Sequence, residues 1–142
     1  MAIAVFNRQR GVRVNVAPLQ SFAESALKIC LETPRQGSEG LATLRQIDVV
    51  IVSDRRIAEI HRRYLNDGTP TDVITFQHGE IVVSAQTAKR QARNFGTTLE
   101  DELRLYLVHG LLHLHGYNDK TRKDAAEMRR LQDRVVAKLD DR

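Results

Sequence analysis

Residues 109–119 read HGLLHLHGYND, and this stretch predicts a helix that ends in a turn and carries a metal site. His109 and His113 are four residues apart, so on an α-helix both imidazoles project from one face, one turn apart. Gly116 can adopt a positive φ and end the helix, which lets the chain bring Asp119 close as a third ligand. Two imidazoles, one carboxylate and an open position are typical of a catalytic metal site, whereas a structural zinc site has four protein ligands.

The same Leu-rich stretch is also compatible with a core helix whose two histidines are hydrogen-bonded within the fold. The spacing of Gly116 and the third candidate ligand favour the metal site, because a buried aspartate is costly unless it is paired or metal-bound. His115 lies off the ligand face, and we interpret it as structural or solvent-facing.

In the rest of the sequence, patterns typical of strands and of helices follow one another without strict alternation. Strands are expected at Val5–Val16 (bent at Gly11), Leu44–Val52, Asp72–Phe76 and Glu80–Val83. Helices are expected to begin near Pro18, after Ser53, after Ser84, at a capping box of Thr97 or Thr98, and near Thr121. We therefore predict an α+β fold in which a mixed sheet of about four strands packs with about five helices, with the metal site on one helix and its following loop.

The composition is that of one globular domain over residues 1–142, with 42% hydrophobic and 28% charged residues. No apolar run is long enough to span a bilayer, and the apolar N-terminal stretch is too short for a signal peptide. A lone Cys30 on an apolar helix face fits a reducing compartment and a packing role. We expect a cytoplasmic protein with no membrane partner.

The formal charge of +4 permits a polyanionic partner without requiring one. Aromatic residues make up 5% of the chain and Trp is absent, so we do not expect a base-stacking platform. Phosphate contacts would have to provide any affinity for nucleic acid.

Two blocks of sequence resemble the YbeY family of bacterial endoribonucleases. The first is PTDVITF at 70–76 with GEIVVS at 79–84, and the second is the histidine motif from His109 to Tyr117. The resemblance covers roughly Ile47 to Asp119. It implies an α+β fold that holds Zn²⁺, cleavage of single-stranded RNA, maturation of the 3′ end of small-subunit ribosomal RNA, and a part in ribosome quality control. Ribosomal RNA and the ribosome are the implied partners.

Two departures from the family concern the metal site. His109 and His113 match the first two ligands, but Asp119 stands where the family has a histidine, and Asn118 replaces its usual aspartate. Three neutral ligands leave the full charge of Zn²⁺, whereas a carboxylate removes about one unit of it. We therefore expect a bound water that is harder to deprotonate, and tolerance of another divalent metal.

A third departure concerns substrate binding. The family has an arginine five residues before the proline of the first block, where Leu65 stands here. We predict that Arg62 or Arg63 supplies the missing cation, with Arg63 favoured by proximity; the alternative is a solvated arginine at a helix end.

Metal-assisted phosphodiester hydrolysis is the favoured mechanism, with either water or the RNA 2′-OH as nucleophile; no catalytic residue is assigned. The spacing from His109 to Asp119 also matches a metzincin-like zinc peptidase, although Gly110 stands where such enzymes have their general-base glutamate. A non-catalytic ribosome-assembly factor is a further alternative. A two-histidine, one-carboxylate iron oxygenase is compatible by ligand type alone.

Overall fold

The computed structural model describes residues 1–37, 40–65 and 71–140, with Leu65 described by its backbone alone. It confirms the predicted α+β fold, a mixed four-stranded sheet with five helices in these ranges. The sequence from Asn66 to Pro70 predicts a turn, and this segment lies outside the described residues. The strands are β1 (Ala2–Asn7), β2 (Gln46–Val52), β3 (Val73–Phe76) and β4 (Glu80–Ser84). The helices are α1 (Val16–Glu32), α2 (Asp54–Leu65), α3 (Ala85–Phe95), α4 (Leu99–Leu114) and α5 (Arg122–Asp140).

The sheet has the order β1-β2-β4-β3, and its first three strands are parallel while β3 runs antiparallel to β4. Strand β2 is central, and its apolar run 49–52 has no polar alternation, which predicts that both of its faces are covered. Val49 and Ile51 lie in the larger core, whereas Val52 lies in a smaller one with Val82. Because side chains alternate between the two faces of a strand, both faces of β2 are covered, as predicted.

Helices α1 and α4 cover the face of the sheet that carries the larger core, and α5 packs against both of them. Helix α2 contributes Ile57 to the smaller core on the opposite face. In the described ranges, no helix combines the length and the apolar character that crossing a membrane requires.

The helix boundaries confirm several predictions about capping. The hydroxyls of Ser53 and Ser84 accept from backbone N–H groups three residues later, and Gly96 ends α3 in the left-handed conformation. Of the two candidate capping boxes, the structure has the one formed by Thr98 and Asp101. These side chains satisfy N–H groups that a helix leaves unpaired at its start.

The prediction of a strand over Val5–Val16 is wrong beyond Asn7. The side chain of Gln9 both accepts a hydrogen bond from the backbone N–H of Val12 and donates one to its carbonyl oxygen. These two bonds fold the segment into a loop, and Val12 is buried in the core from that loop. The β-branched residues of this stretch therefore reflect burial and not a continuous strand. Helix α1 also begins two residues earlier than expected, at Val16.

Two glycines let α4 and its exit turn approach the rest of the fold closely. A Cβ on Gly110 would lie 2.6 Å from Cγ2 of Ile81, so α4 packs directly against β4 at this point. Gly116 has φ +99°, and a Cβ there would lie 1.8 Å from the carbonyl oxygen of Gln36. The turn that follows α4 therefore packs closely against the segment that follows α1.

We expect Gly116→Ala to lower the free energy of unfolding by about 3 kcal/mol or more. The added methyl group would have to displace the backbone of Gln36, and alanine is strained at the positive φ of this position. Gly96→Ala is the matched control: its φ is +68° and nothing lies within 4 Å of an added Cβ, so it should cost only about 1 kcal/mol. Urea unfolding of the two variants measures the difference, and equal losses would contradict the proposed close approach at Gly116.

Candidate metal centre

His109 and His113 lie near the end of α4 with their Nε2 atoms 3.1 Å apart. Nδ1 of His109 is 2.9 Å from Oε1 of Gln132, and Nδ1 of His113 is 3.0 Å from the backbone oxygen of Tyr117. Both of these oxygens are acceptors, so each neutral ring donates from a protonated Nδ1. Each Nε2 consequently presents a lone pair toward the other.

At this distance the two lone pairs repel one another, so without a cation between them the rings would move apart. Two nitrogens bound to one tetrahedral zinc, each at about 2.0–2.1 Å from the metal, are about 3.3 Å apart, close to the observed separation. The arrangement of His109 and His113 thus fits two ligands of one ion better than two histidines satisfied within a core helix.

The exit turn of α4 brings the third predicted ligand to the same place. The ligand atoms of His109, His113 and Asp119 all lie within 4.8 Å of one another. The side-chain oxygen of Asn118 accepts from the backbone N–H of Lys120 at 3.0 Å, which closes a small turn around Asp119. Two imidazole nitrogens and a carboxylate oxygen are a donor set suited to Zn²⁺ and to other divalent first-row metals.

The environment of His113 favours its neutral form. Burial of the ring, followed by the charge of the neighbouring His109, lowers the pKa of His113 below its ordinary value, and Asp119 and the bond to Tyr117 oppose this only in part. A lowered pKa means that His113 releases its proton at a lower pH, so the ring is neutral at pH 7. Neutral imidazole is the form that binds a metal.

His115 belongs to the structural framework, which is one of the two roles predicted for it. Its Nδ1 accepts from the backbone N–H of Leu41 at 3.1 Å, and its Nε2 donates to the carbonyl oxygen of Thr33 at 2.6 Å. With 4% of its surface exposed and both nitrogens engaged, His115 has no free atom for a metal or for proton transfer.

The position of Gly110 argues against peptidase chemistry. A metzincin-like peptidase needs a glutamate directly after the first histidine as its general base. Here a Cβ at Gly110 would point into the side chain of Ile81 on β4, and Ile81 is fully buried. This face of α4 packs against the sheet, so a side chain at position 110 could not present a carboxylate to the histidine pair.

Two cavities adjoin His109, with volumes of about 240 Å³ and about 400 Å³. Both are lined by Arg129 and Gln132 of α5 as well as by His109, and the smaller one also includes Asp119. Arg129 is exposed, so its guanidinium group can meet an anionic ligand beside the three candidate metal ligands. Among the described residues, it is the one Arg or Lys that lines either of these two cavities.

Arg62 and Arg63 are exposed in the last turn of α2. In this helix it is His61 that lines a third cavity, of about 190 Å³, together with His113. Successive residues of a helix are rotated by about 100°, so Arg62 lies nearer to the face of His61 than Arg63 does. Within the described part of the chain, neither arginine is among the residues lining these three cavities.

Sequence reasoning did not single out Arg129 or Gln132. One signal for Gln132 was present: it lies four residues after Met128, which is fully buried on α5, so its polar side chain falls on the inward side of the helix. A polar group at such a position needs a partner. Which partner it meets depends on how α5 packs against α4, and the pattern of α5 alone does not contain that information.

Comparisons with known proteins identify a family. The family model described as "Endoribonuclease YbeY" matches residues 4–140. Proteins of that name from Nautilia profundicola and Petrotoga mobilis are 37% identical over 107 residues and 31% identical over 147 residues. The first match covers 70% of this chain and 76% of the relative, and the second covers 98% and 96%.

A solved structure is also similar over nearly the whole length. The solution structure of a Thermotoga maritima protein matches with a TM-score of 0.62 and 25% identity, covering 98% of this chain and 92% of that one. Matches of this extent, in sequence and in fold, show that the chain belongs to the YbeY endoribonuclease family.

Proposed function

We propose that this protein is a metal-dependent endoribonuclease that cleaves single-stranded RNA and matures the 3′ end of small-subunit ribosomal RNA. The observation that carries the proposal is the convergence of His109, His113 and Asp119 in a chain that matches the family over residues 4–140. In this proposal Zn²⁺ is the metal, ribosomal RNA and the ribosome are the partners, the cytoplasm is the location, and ribosome quality control is part of the role.

A metal held by these three side chains would supply Lewis-acid stabilisation of the phosphodiester and activation of the attacking group. Within hydrogen-bond distance of Nδ1 of each imidazole lies one oxygen, Oε1 of Gln132 for His109 and the backbone oxygen of Tyr117 for His113. Arg129, in the cavity that also includes Asp119, is placed to bind a phosphate and to balance charge that develops during cleavage.

The first test compares single-stranded RNA, double-stranded RNA and casein as substrates, with and without a chelator. We expect cleavage of single-stranded RNA alone, lost on chelation. His113→Ala should reduce the rate by at least about a hundredfold, because several kcal/mol of charge stabilisation depend on the metal. Casein cleavage would favour a peptidase, and metal-dependent RNA binding without cleavage in any condition would favour an assembly factor.

The second test concerns the charge of the ligand set. Replacing the carboxylate by a neutral ligand in Asp119→His leaves more positive charge on the metal, so bound water should lose its proton at lower pH. The acidic limb of the pH–rate profile should therefore move to lower pH than in the wild type. An unchanged limb in a variant that still binds metal would contradict this prediction.

The third test concerns the cation that binds RNA. Arg129→Ala should weaken binding of single-stranded RNA. The negative slope of log K, where K is the association constant, against log [salt] should become shallower by about 0.7, the value for one lost phosphate contact. Arg130→Ala is the matched control, because it removes the same charge from the next position of α5 but from an exposed residue outside the cavity linings. An equal change of slope in both variants would show general electrostatics instead of a contact by Arg129.

The same measurement on Arg62→Ala and Arg63→Ala tests the proposal that one of them replaces the arginine absent at Leu65. Helical geometry favours Arg62 over Arg63. If both variants keep the slope and the cleavage rate of the wild type, neither arginine replaces the missing one. Arg129 would then remain as the candidate cation of the site.

A further inference from the structure

Gln132 connects the C-terminal helix to the candidate metal centre. It is half-buried on α5, it lines both cavities beside His109, and its Oε1 lies 2.9 Å from Nδ1 of His109. Gln132 is 23 residues away from His109 in sequence, so only the packing of α5 against α4 brings the two side chains together.

We propose that Gln132 is a positioning residue that holds His109 in the tautomer and ring orientation needed to bind the metal. An imidazole that binds through Nε2 must carry its proton on Nδ1. The amide oxygen of Gln132 accepts a hydrogen bond from Nδ1–H of His109 and so keeps the proton on that nitrogen. The lone pair of Nε2 of His109 then faces Nε2 of His113. The inference rests on the proposed metal centre, but it assigns a role to a residue outside the ligand set.

The two histidines are held in different ways, and this difference makes Gln132 testable. Nδ1 of His113 donates to the backbone oxygen of Tyr117, an acceptor that is present whatever side chain stands at that position. Nδ1 of His109 instead depends on one side chain from another helix. Removing that side chain should release His109 while leaving the ring of His113 in place.

The chemistry also decides which end of the amide faces His109. If the amide nitrogen of Gln132 faced the ring, it would donate to Nδ1, and the proton of a neutral His109 would then have to sit on Nε2. That proton would occupy the position required by a metal. Only the arrangement with Oε1 toward His109 is compatible with ligation by Nε2.

The effect on metal binding is measured by competition of the purified protein with a chelating dye for Zn²⁺. Gln132→Leu keeps the approximate volume of the side chain but removes the acceptor, and we expect the affinity for Zn²⁺ to fall about 10- to 100-fold. Gln132→Glu keeps an acceptor at the same reach and should retain the affinity of the wild type. Gln91→Leu, the same substitution at another glutamine that lines the larger cavity, is the matched control and should leave the affinity unchanged.

A second readout needs no metal. Long-range ¹H–¹⁵N correlation spectra at about pH 8.5, well above the ordinary pKa of histidine, report which nitrogen of each neutral ring carries the proton. In the metal-free wild type, His109 should be protonated at Nδ1. In Gln132→Leu its signals should move toward a mixture of the two tautomers, while those of His113 stay unchanged.

Equal Zn²⁺ affinity in Gln132→Leu and the wild type would overturn the inference, as would a proton on Nε2 of His109 in the metal-free wild type. Equal losses in the Leu and Glu variants would also overturn it, because they would show a packing role for Gln132. If Gln132→Leu does not fold, the spectrum of the wild type decides by itself. None of these results depends on RNA cleavage, so failure of the proposed endoribonuclease activity would be seen separately, in the RNA assay.

Discussion

The packing of α4 against the sheet is the constraint on which the candidate site depends. Leu107 and Leu111 are fully buried in the larger core, and Gly110 lets the helix lie directly on Ile81 of β4. The same turns carry His109 and His113 on an adjoining, half-buried face. Because a close-packed core permits little displacement, the positions of the two imidazoles are set by the contacts that stabilise the fold.

The exit turn of α4 is held by long-range contacts as much as by its own sequence. His115 bonds through both ring nitrogens to the backbone of Thr33 and Leu41, and the hydroxyl of Tyr117 donates to the carbonyl oxygen of Pro34. The backbone N–H of Gln36 also donates to the carbonyl oxygen of His115. The segment after α1 thereby supports the turn that leads to Asp119, the most exposed of the three candidate ligands.

Local sequence patterns predicted most of the elements and brought out the candidate ligands, because both depend on short-range spacing. The helical repeat relates His109 to His113, and the glycine and capping residues mark helix ends within a few positions. The loop around Gln9 was missed because its β-branched neighbours resemble a strand while serving the core. The cavity positions of Arg129 and Gln132 were missed for a different reason: they depend on tertiary packing between helices that are distant in sequence.

The charges at the candidate centre connect the third candidate ligand, Asp119, with α5. A set of two neutral imidazoles and one carboxylate would leave a divalent metal with about one unit of net charge, one less than three neutral ligands would leave. Arg129 lines the same cavity as Asp119, and its guanidinium group is positive at any relevant pH. A phosphate in that cavity would therefore meet about the same total positive charge as at an all-histidine centre, but divided between the metal and a side chain. In the proposed mechanism such a division would move part of the positive charge away from the attacking group and toward binding of the substrate. Helix α5 would then take part in catalysis as well as cover the core.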